Sequence, residues 1–460
     1  MVRDAGRPHH FEVRLDDGIG RGAEHTELAP PTENISHRRT APFGICGPGC
    51  YIWLAIGSRS SMLKEYDRII VVGAGPVGLT AALALGRRGI PTVLLAAEPE
   101  LVKELRGSTF HPPTLDLLDE FEMVPRMLEV GLKAPTWQFR DRETGPVATF
   151  DLSLLAGDTN HPYRVQCEQW KLMRFLEAEL RELPGSDIRF GHEVTSVRQD
   201  GDCVTVTAET PSGPVSIAGR YLIAADGARS AVRRSLGVEF EGFTYPELFL
   251  IASTDFKFEE TLTDIAHVNY IADPLEWLVL LRVPDLWRVL VPAPENSDRE
   301  KLLSDESLQG VLHRVVPRPE PYKIAHRSIY QVHQRVAKKF RHGRVVLAGD
   351  AAHINNPLGG MGMNGGMQDA FNLADKFKDI WAGADDRLLD RYDRQRRTVA
   401  VDAVQEHTHR NQQIISERDP EIRRKSLDAM RRIAADKALA HEYMLKSSMI
   451  SSMRRAAEIQ

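Results

Sequence analysis

The sequence predicts an α/β protein: a Rossmann-like nucleotide-binding body, interrupted by a β-rich insertion and closed by C-terminal helices. Three observations predict it. The stretch "RIIVVGAGPVGLTAALALGRRGIPTVLLA" reads as strand, glycine turn, helix and strand. Residues 188–223 alternate apolar and polar positions between turn signals, as short strands do. A third segment, "RVVLAGDAAHINNPLGGMGMNGGMQDA", sends an apolar strand into a loop with six glycines between 349 and 370, and then into a helix.

The first unit is specific because its glycines stand in context. Arg68–Val72 is a β-branched run suited to a buried parallel strand. Residues 76–88 carry Leu and Ala at helical spacing and stop at Gly89. Gly73, Gly75 and Gly78 form G-x-G-x-x-G between strand and helix, with Pro76 opening the helix. Gly73 allows the tight turn, Gly75 admits the backbone to a pyrophosphate, and Gly78 lets helix and strand pack closely. The helix N-terminus then offers N–H groups to the phosphates. At the end of the second strand, where an acidic residue usually binds ribose, stand Ala96, Ala97 and Glu98. Either Glu98 reaches back or the ribose is held otherwise.

Further along, "VQCEQWKLMRFLEAELREL" is an amphipathic helix whose apolar face is Leu172, Phe175, Leu176 and Leu180. Asp200-Gly201-Asp202 and Pro211-Ser212-Gly213 mark the turns of a β-meander that ends on "RYLIAADG". The expected organisation is a discontinuous nucleotide-binding domain over 62–239 and 336–400, a β-rich domain over 240–335, and helices over 401–460. His267, Asn269, Tyr270 and Trp277 lie on expected strands of the β-rich part, where a sheet face can be core or pocket.

Residues 1–61 differ in kind. They are rich in Pro, Gly, Arg and His, lack Lys, and show no sustained period, which predicts disorder. Seven acidic residues there argue against a transit peptide, and Met62 is an expected start of the folded protein. Of four cysteines, Cys46 and Cys50 lack the second pair that a zinc site needs, and Cys167 and Cys203 read as inert thiols. No metal site is expected. Asp350 and His353 stand three apart with no third ligand nearby, so His353 reads as a structural hydrogen-bonding group.

A chain of 460 residues that is 42% apolar can bury a sizeable core. A formal charge of -5, with no basic stripe interleaved with aromatics, argues against nucleic acid. Its longest apolar runs are too short to cross a bilayer, and the expected location is cytoplasmic.

The three glycine-bearing segments, 73–78, 224–230 and 349–366, resemble in order and separation those of the FAD-dependent aromatic hydroxylases of the p-hydroxybenzoate hydroxylase type, the single-component flavoprotein monooxygenases. The resemblance spans residues 66–403 and implies a glutathione-reductase-type FAD-binding domain. It implies that "GAGPVG" binds the ADP half of FAD and that Asp226-Gly227 serves FAD and nicotinamide. Gly349-Asp350 would hold the ribityl and pyrophosphate region, and Arg106, in "RGSTFHPPTLDLLDEF", would lie near the phosphates. Gln169 and Val194 are further cofactor positions by resemblance. Gly360, Gly362, Met363 and Asn364 would lie beneath the isoalloxazine ring, where a helix N-terminus stabilises the negative charge of reduced flavin. Departures are Met361 in place of Gln, Asp375 in place of an aromatic residue, and "INNP", which keeps only Pro357 of a usual proline pair.

The implied reaction reduces FAD with NADH or NADPH and hydroxylates a small phenol or aromatic acid with O2, through a flavin C4a-hydroperoxide. No separate nicotinamide-binding domain is visible. Arg229, Arg233 and Arg234 read as a solvated basic helix end. No catalytic acid or base is assigned. The alternatives on the same fold are a flavin oxidase and a non-catalytic flavin-binding redox module. The C-terminal helices leave room for a homodimer.

Overall fold

The computed structural model describes residues 66–460 apart from Glu104. The expectations for residues 1–61, Cys46, Cys50 and Met62 lie outside the described residues.

Strand Ile69–Val72 has every residue buried, and helix Pro76–Arg87 follows it directly. The helix ends at Arg88, and Gly89 takes the left-handed conformation at φ 73° that lets the chain turn back. Strand Thr92–Leu95 then pairs with Ile69–Val72 in parallel. This β–α–β unit is the centre of a six-stranded sheet. Its order is Arg341–His342, Val345–Leu347, Tyr221–Ala224, Ile69–Val72, Thr92–Leu95, Ser186–Arg189. All neighbours are parallel except the edge hairpin of Arg341–His342 with Val345–Leu347. The β-meander is a separate three-stranded antiparallel sheet of Glu193–Gln199, Val204–Glu209 and Val215–Gly219.

The insertion forms an eight-stranded sheet with its longest strands, Phe240–Thr254 and Ile324–Ala337, side by side. Two of its strands, Thr136–Asp141 and Gly145–Asp151, come from earlier in the chain. Thr136–Asp141 joins through parallel pairing with Val268–Ala272, a partner more than a hundred residues away. Local pattern could not show that pairing, because the residues meet only in space. One sheet face packs Leu250, Trp287 and Val289 against helix Asp305–Val315. The opposite face packs Trp137, Phe150, Phe249 and Tyr270 against C-terminal helices, with Met444, Ile450 and Leu358 in the same cluster. Leu358 belongs to the glycine loop. The second sheet face and that loop therefore share one core.

Helix Leu388–Val399 runs into a π-helical stretch, Ala400–Gln405, before helix Glu406–Ser416. Among the described residues, no helix is long and apolar enough to cross a membrane.

Candidate active site

The first turn is built as its glycines require. Gly73 has φ 104°, and a Cβ there would sit 2.4 Å from the Ala225 carbonyl oxygen. A Cβ on Gly78 would sit 1.8 Å from the Gly73 oxygen. Gly75 meets nothing within 4 Å, so the space in front of the helix N-terminus is open. Pro76 is the first helical residue, where its missing N–H costs nothing. Together these give a cradle of bare backbone facing an empty volume, suited to a pyrophosphate.

Asp226 follows strand Tyr221–Ala224, next to that cradle. Burial pushes its carboxyl up, opposed by Ser230 and the Val232 N–H. Oδ2 accepts from Val232 N at 3.1 Å, while Oδ1 is buried without a partner. Gly227, at φ 76°, turns the chain beside it. Arg233 corrects the expectation of a solvated basic end. It is 6% exposed, donates to the Ala351 and Ala228 carbonyls, and lies over the Phe240 ring. It is a strut between the Asp226 and Asp350 segments.

Gly349 packs against Val77 of the first helix, bringing the third glycine segment to the first. The Asp350 carboxyl is pushed up by surrounding protein, against the pull of His353 and Arg106, yet its side chain is open to solvent. Asp350 is thus closely surrounded by protein while its side chain remains accessible. Asp369, on helix Met361–Trp381, holds the segment from behind: it accepts from Gly349 N at 3.0 Å and His353 Nε2 at 2.7 Å. His353 is thus engaged as the structural group it was expected to be.

Gly360 caps helix Met361–Trp381 at φ 68°, a conformation with no penalty only for glycine. Gly362 lies in the first turn, where a Cβ would come 3.0 Å from Asn355 Oδ1, an atom buried without a partner. Asn364 spends its carboxamide internally. Its nitrogen donates to Thr109 and Gly360 carbonyls, and its oxygen accepts from His111 N. What it can offer a ligand is backbone.

The loop carrying Arg106 reaches the same place. Gly107 N donates to Gln169 Oε1 at 3.1 Å, Gln169 N donates to Gly107 O at 2.9 Å, and a Cβ on Gly107 would strike Met363 Sδ. Gln169, Gly107 and Met363 therefore converge. Val194 instead has its side chain in the apolar core. Ala96 is buried and Glu98 exposed, with the Glu98 carbonyl accepting from Gly191 N. Cys167 is buried, its thiol pushed up to about 12 by burial, which makes it inert.

Several residues in this region carry no sequence motif. Arg288, from the eight-stranded sheet, donates to the carbonyls of Leu105 and Arg106 and to Ser108 Oγ. Tyr330, two strands away in the same sheet on Ile324–Ala337, is enclosed by protein but keeps accessible surface, and burial raises its phenol above the usual range.

The second group surrounds Arg164, which is 2% exposed. Its guanidinium lies 5.1 Å from the Trp137 ring, and Nη2 makes one long bond of 3.4 Å to the Ser447 carbonyl. Nε and Nη1 have no partner. Burial lowers its pKa, and the phenols of Tyr270 and Tyr443 resist the fall; no carboxylate contributes. The Tyr443 hydroxyl is itself buried and unpartnered. His111 and His407 beside it are kept neutral, first by burial and then by neighbouring cations, His407 down to about 4. His111 Nε2 bonds the Gly359 carbonyl at 2.8 Å, so its orphaned Nδ1 is the bare acceptor nitrogen. Tyr270 also reaches Gly359. The cluster is thus fastened to the glycine loop. Asn269, by contrast, bonds only local backbone, and Trp277 packs on Phe249.

The chain is similar to known proteins. The family described as "FAD binding domain" matches residues 66–407. Para-nitrophenol 4-monooxygenase of Pseudomonas sp. (strain WBC-3) is 34% identical over 397 residues, which are 85% of this chain and 98% of that protein. A 6-hydroxy-3-succinoylpyridine 3-monooxygenase of Pseudomonas putida (strain DSM 28022 / S16) is 33% identical, covering 74% of this chain and 86% of its own. The crystal structure of p-nitrophenol 4-monooxygenase from Pseudomonas putida DLL-E4 is similar with a TM-score of 0.80 and 31% identity, over 85% of this chain and 98% of that one.

Proposed function

The chain belongs to the FAD-binding domain family and is a flavin-dependent monooxygenase, and from that premise we propose that it hydroxylates a small phenol bound as its anion, using NADH or NADPH and O2. The observation that carries this reading is Arg164. A buried guanidinium with two unpartnered nitrogens and no carboxylate is costly to leave alone. An anionic oxygen placed between Arg164 and the Tyr443 hydroxyl would partner the guanidinium and the hydroxyl together. The surroundings are aromatic: Trp137 meets Tyr270 edge-on at 5.9 Å and stacks on Phe150 at 4.5 Å, so an aromatic ligand would meet ring surface. The first relative above is named for a nitrophenol, an acidic phenol.

The residues present fit FAD. Gly73, Gly75, Pro76 and Gly78 would cradle its pyrophosphate, and Asp350, with Arg106 in electrostatic reach, would face the ribityl chain. Asp226 and Gly227 would lie alongside. The backbone N–H groups of Gly362, Met363 and Asn364, with Gln169 opposite, would meet the ring. When bound, FAD supplies the reduction and activation of O2. The protein's own work is positional. The helix dipole beginning at Gly360 favours negative charge at the ring. Arg164 lowers the cost of the phenolate, which is the electron-rich form of the ring. The buried aromatic face excludes water.

The test is nicotinamide oxidation by the FAD-loaded protein with a panel of phenols and aromatic acids under 18O2, following peroxide and product mass. Phenol-stimulated oxidation with a product one labelled oxygen heavier is expected. Consumption that yields only peroxide across the panel overturns hydroxylation in favour of an oxidase.

A further inference from the structure

The reaction proposed above needs a place for the nicotinamide nucleotide, and a patch outside the flavin cradle has the required chemistry. Trp170, at the start of helix Gln169–Glu182, is half-buried and has three cations over its ring. Lys103 Nζ lies 4.7 Å from the ring centroid, the Arg174 guanidinium 5.4 Å and Lys171 Nζ 5.8 Å. Lys171 is already paired with Glu168 at 2.8 Å and donates to the Val130 carbonyl. Lys103 and Arg174 are exposed, and among the described residues neither has a carboxylate within ion-pair distance. The Trp170 indole N–H is shielded from solvent and has no partner. Among the described residues, two exposed cations without a carboxylate partner and one unpartnered indole N–H thus gather at one aromatic ring, in a chain whose net charge is negative.

The position is informative. Gln169, next to Trp170, holds Gly107 and so touches the flavin-facing loop. Lys103 stands in the same loop, three residues before Arg106. The patch therefore adjoins the loop that carries Arg106 and Gly107. The helix N-terminus adds its own positive end.

Resting on the reading of the protein as a nicotinamide-dependent monooxygenase, we propose that Lys103, Trp170 and Arg174 dock the adenosine diphosphate part of NADH or NADPH. The phosphates draw Lys103 and Arg174 off the ring as charge-assisted partners, and the adenine takes the freed indole face. This leaves the nicotinamide end free to reach the flavin. It also explains how the protein manages without a second nucleotide-binding unit.

The experiment uses the FAD-loaded protein and the probe ADP-ribose, which binds without turnover. Calorimetric titration of wild type and of the double variant Lys103→Ser/Arg174→Ser is expected to show binding in the first and at least tenfold weaker binding in the second. Both residues are exposed, so folding and FAD content should be unchanged, and both are measured. Rapid-mixing reduction with NADH and with NADPH should show the same loss in Kd with an unaltered limiting rate. Trp170→Leu should weaken ADP-ribose binding without removing its salt dependence, whereas the double variant should lose that dependence. Equal ADP-ribose affinity in wild type and double variant overturns the proposal. So does absence of ADP-ribose binding to wild type. The monooxygenase reading stands or falls separately, on the labelled product.

Discussion

Arg396 and Asp369 meet inside the protein, Nε donating to Oδ1 at 2.5 Å with side chains 3% and 0% exposed. The other carboxylate oxygen serves His353 and the Gly349 N–H. One buried carboxylate thus ties helix Leu388–Val399 to the glycine segment that presents Asp350. Breaking such a pair leaves a buried guanidinium without its partner.

Asp369→Asn should therefore destabilise the protein by about 3–5 kcal/mol, measured by urea unfolding. The pH dependence has a definite sign. Burial alone would raise the Asp369 carboxyl, but His353 and Arg396 overcome it and hold it below the usual range. Its contribution is complete above the ordinary aspartate pKa and is lost as pH falls through the depressed folded value. Wild type should lose stability in that acid window, and the variant should lack that part of the slope.

Asp350→Ala should strip FAD, seen as loss of flavin absorbance after desalting with the fold intact by circular dichroism. Full flavin occupancy in the variant would remove Asp350 from the site.

Gly78→Ala places a methyl 1.8 Å from the Gly73 oxygen, with no flexible side chain to yield. The helix must move off the strand. The expected outcome is protein that binds no FAD or fails to accumulate in soluble form.

Arg288→Met removes the bonds from the eight-stranded sheet to Leu105, Arg106 and Ser108. Charged donors of this kind are worth about 1.5–3 kcal/mol each. FAD should bind at least tenfold more weakly, by fluorescence titration. A variant with wild-type flavin affinity would show that the loop holds its shape alone.

Arg164→Met separates a substrate role from a structural one. An unpaired buried cation costs stability, and a matched apolar side chain does not. The melting temperature should hold or rise while KM for phenols rises at least tenfold. A fall in both stability and affinity would mean that Arg164 is a structural strut.

The sequence alone determined the nucleotide-binding body, because its signals are local. Strand, glycine turn and helix are adjacent in the chain, and backbone conformation at Gly73 and Gly360 is decided by the residue itself. His353 as a structural group was legible for the same reason, having no third ligand nearby. The phenolate cluster was not legible. Arg164, Tyr270, His407 and Tyr443 come from four separate stretches, and in the sequence each is an ordinary polar residue. Arg233 read as solvated because its helix is basic, yet it is buried where two loops cross. Burial is a property of what packs around a residue, so only the tertiary structure could decide which arginine is a surface charge, which a strut, and which an unsatisfied cation awaiting a ligand.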